Sequence, residues 1–252
     1  MMQGAIAALC GSLFGIAFGL TGVGSIFAVP LLVYALGLPP HQAVCVSMVA
    51  VNVLALVSSV QRLKAHEVVV SDGLRLAIPG LLGAPLGAWI GTFLAGHTLM
   101  IVFGIFVGVL AVQMLFIGEP KQSAGADAQR PQLRSIMLIA AGMSTGLLAG
   151  LLGAGGVLIV PSLVLLGGLA IHRAIATSLP VIYAISVAAI SSHLLGGQTI
   201  PLIVAAWFVA GAGVGLFAGR ALGQRLSGPH LQRVFAFALL AVATFILART
   251  VV

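Results

Sequence analysis

The residues of this sequence best suited to chemistry are mostly uncharged. Gly19-Leu20-Thr21-Gly22-Val23-Gly24-Ser25 interrupts one long apolar run, and Gly150-Leu151-Leu152-Gly153-Ala154-Gly155-Gly156 interrupts another. A helix that resumes after such a break presents free N–H groups and the positive end of its dipole, an anion site that needs no charged side chain. Thr21 and Ser25 add hydroxyl donors around Gly22, Val23 and Gly24, whereas Gly153, Ala154, Gly155 and Gly156 offer bare backbone. The competing reading is close packing of small residues with no ligand. In hydrocarbon, unwound backbone persists only where protein or a polar cavity satisfies it. Paired interruptions at matching places in two halves point to a transporter's binding site.

A second set of polar side chains follows each break. Ser47, Thr177 and Ser178 open the next apolar runs and either face the breaks or bond back within their own helices. Asn52 and Tyr183 occupy matching positions inside apolar runs, where an amide needs a partner and faces the bundle interior. His193 ends the sixth run beside Gly196, Gly197 and Gln198. It is either a group that couples proton to anion movement or an interfacial histidine without a role. His41 and His172 lie in equivalent loops, where the second reading is the stronger.

Other chemistries lack residues. The four acids Glu67, Asp72, Glu119 and Asp127 lie in or beside loops, so no carboxylate is expected to relay protons or sodium. HExxH, GxSxG and phosphate-loop signatures are missing, and Cys10 and Cys45 have no metal-ligand spacing. The chain is expected not to be an enzyme and to need no cofactor or metal.

The elements that carry these residues are membrane helices. Of 252 residues, 61% are hydrophobic and 6% charged, against roughly 25% charged in soluble domains. The net charge of +7 comes from basic residues scattered through short loops, so it reads as a topology signal and not a nucleic-acid surface. The N-terminus lacks the basic region of a signal peptide and is expected to begin the first membrane helix. Apolar stretches cover 4–36, 41–61, 72–95, 98–118, 135–168, 172–195, 199–221 and 229–249. Residues 119–134 form the one hydrophilic linker, predicted cytoplasmic, between a first transmembrane repeat at 1–118 and a second at 135–252.

The halves align without gaps at an offset of 131, with 14 identities over positions 15–47. The matches include Pro30 with Pro161, His41 with His172 and Ser47 with Ser178. Stretches 4–36 and 135–168 are too long for one crossing: about 50 Å of helix against a core near 30 Å. Each is predicted to fold into two short helices that return to their starting side. Basic residues support this reading. Arg62, Lys64, Lys121, Arg130, Arg134, Arg173, Arg220, Arg225 and Arg233 all become cytoplasmic only if both long stretches return. The second half is then inverted, and both termini face outward. The expected fold is an all-α polytopic membrane protein of two inverted repeats, each a broken or re-entrant helical hairpin plus three transmembrane helices.

These residues resemble a known family. Gly15-x3-Gly-x2-Gly-x-Gly, Val29-Pro30-Leu31-Leu32, Gly37-Leu38-Pro39-Pro40-His41-Gln42-Ala43 and Ser47 are similar to the first signature of the TauE/SafE sulfite exporters. The second half, from Gly146 to Ala174-Ile175-Ala176-Thr177-Ser178-Leu179, is closer to type. His193, Gly211-x-Gly-x-Gly-x3-Gly219 and Leu231-Gln232-Arg233-Val234-Phe235 also resemble the family. The resemblance implies a secondary permease of the cell membrane that moves small sulfur-containing or carboxylate anions such as sulfite or organosulfonates outward. Ser25 and Cys45-Val46-Ser47 depart from type and bear on the substrate. The expected partners are a small anionic substrate and the lipid bilayer, with no nucleic acid and with a homo-oligomer left open. The alternatives are a membrane scaffold or assembly subunit, or a permease for another small anion or a metal ion.

Overall fold

The computed structural model describes residues 2–21, 25–116, 131–153, 156, 158–223 and 228–251. Among them helix is the only regular secondary structure, with no strand. The helices are α1 (Met2–Thr21), α2 (Ser25–Pro30), α3 (Pro40–Lys64), α4 (Val70–Phe93) and α5 (Gly96–Phe116) in the first half. The second half holds α6 (Pro131–Leu152), α7 (Ile159–Leu165), α8 (Ile171–Leu195), α9 (Leu202–Gly223) and α10 (Gly228–Val251). α2 runs on into a π-helical turn, Leu31–Ala35, directly after Pro30. Six helices among the described residues are long and apolar enough to cross a membrane, namely α1, α3, α4, α6, α8 and α9. α5 and α10 are apolar over Gly96–Val112 and Phe237–Arg249.

Both long stretches are broken, but into unequal arms where the sequence led to two short ones. α1 has 20 residues and α6 has 22, about 30 Å each and enough to span the hydrocarbon core. The returning arms are short: 7 residues in α7, and 6 in α2 before the π turn. The break comes a full span into the helix because the glycines do. Gly153, at φ +72°, leaves α6 just after its last turn.

The two returning arms end alike. Gly37 at φ +68° and Gly168 at φ +63° adopt the left-handed conformation, with nothing within 4 Å of an added Cβ. Leu38 N–H donates to Leu32 O at 3.2 Å, and Leu169 N–H to Leu163 O at 3.1 Å. Each bond closes seven residues around a left-handed glycine, one more than the usual glycine-terminated helix end, and here the glycine is required by its φ alone.

The helices group into two compact units that do not coincide with the sequence halves. One comprises Met1–Val44, Phe93–Glu119 and Pro201–Val252; the other comprises Cys45–Thr92 and Pro120–Ile200. Each takes helices from both halves.

In the first unit α1 lies on α9. A Cβ on Gly15 would sit 2.1 Å from Ala212 O, and one on Gly219 2.3 Å from Ile16 O. Phe14 stacks on Phe208 with ring centroids 5.5 Å apart. In the second unit α6 lies on α4 through Gly146 and Leu147, the counterparts of Gly15 and Ile16. A Cβ on Gly146 would sit 2.1 Å from Gly80 O, and one on Gly87 2.0 Å from Leu147 O. Lipid tails are as apolar as leucine, so helices associate there through close packing, and bare glycine backbones permit it. Cα–H···O contacts across such seams add to the packing.

Contacts in the second unit rise together along three helices. Gly142 meets Leu76 and Gly150 meets Ala84; Gly73 meets Val181, Gly80 meets Ile185, and Gly196 meets Thr92. α4, α6 and α8 therefore run in the same direction. Since α6 and α8 are parallel, the α6–α7 hairpin comes back to the end it started from. Arg134, in the first turn of α6, donates to Gly167 O just past α7, at 2.6 Å.

Candidate substrate site

The second break is built against α8 and α4. Gly150 lies in the last turn of α6, two residues before its end, where carbonyls lose their partners in the helix ladder. His193 supplies the partner: its Nε2 lies 2.7 Å from Gly150 O. A carbonyl only accepts, so Nε2 carries the proton. The ring is 3% exposed and is thus a buried group holding the break, not a residue lying open at the boundary. Across the break, Gly156 packs on Ile182, whose Cδ1 would be 3.0 Å from an added Cβ. Gly153 and Gly156 are both buried. Ala154 and Gly155 lie outside the described residues.

The hydroxyls that open α8 are engaged locally. Thr177 Oγ1 accepts from Val69 N–H at 2.9 Å, which caps the start of α4. Ser178 Oγ donates back to Ile175 O at 2.8 Å within α8. Both side chains are fully buried, as is Ser47 on α3. Of the two readings open for Thr177 and Ser178, their hydrogen bonds belong to capping and back-bonding.

Asn52 and Tyr183 do come together. Asn52 Nδ2 reaches Tyr183 O and Ser186 Oγ, each at 3.5 Å. Ser186 in turn donates to Ile182 O at 2.6 Å and Tyr183 O at 3.1 Å. Ser186 was missed by the sequence reading, although a signal exists. Ser178, Ser186 and His193 recur at spacings of eight and seven, which places them on one side of α8.

The first break belongs to the other unit. Thr21 ends α1 and Ser25 begins α2, while Gly22, Val23 and Gly24 lie outside the described residues.

A charged cluster also escaped sequence reading. Asp72 is 4% exposed, not a solvated loop acid. Its Oδ2 lies 2.9 Å from Arg134 Nη2 and its Oδ1 3.2 Å from Arg75 Nη1. The N-terminal ends of α4, α6 and α8 meet here. A carboxylate in the first turn of α4 opposes their positive dipole ends as well as the two guanidiniums. The residues come from positions 62 apart, and no local pattern announces such a pair.

Comparison with known proteins agrees with this architecture. The family described as "Sulfite exporter TauE/SafE" matches residues 7–246. A "Probable membrane transporter protein" of Xylella fastidiosa (strain Temecula1 / ATCC 700964) is 33% identical over 249 residues, covering 95% of this chain and 93% of the relative. A protein of the same description from strain 9a5c is 32% identical over 260 residues, with the same coverage. "Probable membrane transporter protein YunE" of Bacillus subtilis (strain 168) is 26% identical over 228 residues, covering 82% of this chain and 84% of the relative. No solved structure matches. With membrane-length helices, paired hairpins and a family match over nearly its whole length, this chain is a multi-pass membrane protein, not an enzyme, and belongs to the sulfite exporter TauE/SafE family of membrane transporters.

Proposed function

We propose that the protein is a secondary transporter that exports small sulfur-containing anions, such as sulfite or organosulfonates, by alternating access between two inverted repeats of a cell membrane protein. The observation that carries this reading is the break after Gly150. A membrane-length helix stops there, turns back, and has its freed carbonyl held by a buried histidine. Structure of this kind is tolerated at membrane depth where it lines a polar site.

In this reading each break offers the anion backbone N–H groups, those of Gly22, Val23, Gly24 and Ser25 at the first and of Gly153, Ala154, Gly155 and Gly156 at the second. Thr21, Ser47, Thr177 and Ser178 line the approach, with Asn52 and Tyr183 where α3 meets α8. His193 couples any proton movement to the second break. The inverted relation is supported by the direction of the helices. α3 reverses into α4 over five residues, whereas α8, its counterpart, runs with α4. The positions of basic residues favour both termini outside.

A membrane potential negative inside favours anion exit by about 2.3 kcal/mol per charge per 100 mV. Efflux of sulfite, thiosulfate or sulfoacetate from proteoliposomes should rise with imposed negative internal voltage at fixed pH. Flux indifferent to voltage would count against electrogenic export. Ser25 and the Cys45-Val46-Ser47 run favour a second reading, a permease for another small anion. Simple carboxylates therefore belong in the same assay.

A further inference from the structure

Arg134 is held in an arrangement that a passing oxyanion can rival. Its Nη2 bridges two acceptors, Asp72 Oδ2 at 2.9 Å and Gly167 O at 2.6 Å. This one group ties together the start of α6, the first turn of α4 and the chain just beyond α7. Arg75 Nη1 shares the same carboxylate from Asp72 Oδ1. Two guanidiniums thus divide one buried carboxylate among three helix N-termini, and this trio carries one net positive charge. Arg134 Nε is buried and has no acceptor among the described residues. The closed arrangement leaves one donor of a guanidinium unsatisfied, which raises its free energy relative to one with a bidentate partner. The side chain is nonetheless 34% exposed, so the rest of the guanidinium can be reached.

The first hairpin has no counterpart. Gln3 stands at the position equivalent to Arg134, and Ile203 and Val204 at the positions equivalent to Asp72. The two halves therefore differ in charge at these equivalent positions, although they share their glycine breaks and glycine ends.

We propose that Arg134 is an anion-responsive latch. With Asp72 it holds the α6–α7 hairpin shut at the end where α4, α6 and α8 begin, and the transported oxyanion opens it by taking the guanidinium from Asp72. This rests on the anion-transport reading above. Sulfite, thiosulfate and sulfonates each present two oxygens that match a guanidinium edge, whereas Asp72 and Gly167 divide a single Nη2. Lysine offers a point charge in place of that fork and does not reproduce the bridge.

Amide hydrogen exchange over 159–169 should be followed in the full chain in nanodiscs, with and without sulfite. Flux should be measured in proteoliposomes from the same preparations. Asp72→Asn, Asp72→Glu, Arg134→Lys and Arg134→Gln are each checked for monodisperse elution. In the wild type, saturating sulfite should raise exchange in this segment at least threefold, and chloride should not. Asp72→Asn should give at least tenfold faster exchange without anion and a several-fold lower KM, because the competing carboxylate has lost its charge. Asp72→Glu should stay near the wild type, and Arg134→Lys should match Arg134→Gln in exchange. Exchange in Asp72→Asn and Arg134→Lys equal to the wild type overturns the latch, whatever the flux. If either variant does not fold, the remaining one decides. A wild type whose segment ignores sulfite while sulfite flux is measurable also overturns it. Absence of flux for every anion tested, with fast exchange in the variants, overturns the transport reading and the anion-opening step but leaves the ion-pair closure standing.

Discussion

Asn52 Nδ2 lies 3.5 Å from Tyr183 O, and these two residues are the same position of the internal repeat, 131 residues apart. α3 and α8 thus bring equivalent positions of the two sequence halves into contact.

Both bonds of the Asn52 amide are long, so its energetic role should be small and its functional role separable. Asn52→Ala should lower stability by less than about 1 kcal/mol, in line with side-chain bonds measured in membrane bundles. Thermal unfolding followed by tryptophan fluorescence in detergent would check this. A drop in anion affinity of tenfold or more at nearly unchanged stability would assign Asn52 to substrate.

His193 and Gly150 make a stricter test. His193→Leu leaves the Gly150 carbonyl buried and unpaired, a loss of about 1–3 kcal/mol. His193→Gln keeps a donor and should recover much of it. The two variants should also differ in amide exchange over 146–153. Equal behaviour of glutamine and leucine would show that the hydrogen bond does not hold the break.

Thr177 can be parsed by its hydroxyl. Thr177→Val removes the acceptor for Val69 N–H and should cost about 1 kcal/mol, the usual effect of a lost cap. Thr177→Ser should restore it. If anion affinity falls in the valine variant and returns in the serine one, the hydroxyl serves substrate as well as α4.

Two glycines should respond to alanine for different reasons. Gly37→Ala meets no neighbour but strains a left-handed residue, worth about 1–2 kcal/mol. Gly146→Ala drives a methyl into Gly80 O, 2.1 Å away, and overpacking of this kind costs about 1–3 kcal/mol or more because backbone cannot rotate aside. Size-exclusion profiles after graded heating would rank them, with Gly146→Ala the less stable. The reverse order would argue that the α4–α6 seam yields easily.

Much of this architecture was legible in the residues. The clustered glycines of Gly150 to Gly156, repeated at Gly19 to Gly24, marked a break because the same cluster recurs in register in both halves. Asn52 announced that it has a partner, since an amide in hydrocarbon needs one, but not which residue supplies it. The relative lengths of the hairpin arms were not legible, because apolar pattern alone does not say where a helix resumes. Nor was the pairing of α1 with α9 or α4 with α6. Both faces of each helix are apolar in lipid, so periodicity cannot choose the packed one. Asp72 looked like a loop acid for a related reason: its burial is created by Arg134 and α6, which lie beyond any local window.

The seam between α1 and α9 also sets a timetable. Gly11 is made about 200 residues before Phe208, whose carbonyl it will touch, and at about 5–20 residues per second that is a wait of some ten to forty seconds. During synthesis the glycine face of α1 has only lipid or borrowed chains against it. α6 has no such wait, since α4 is already made when it emerges. The order of manufacture therefore separates two seams that are nearly identical in structure. A ribosome stalled before α9 should leave α1 open to crosslinking by membrane insertion factors, while α4 and α6 have already closed on each other.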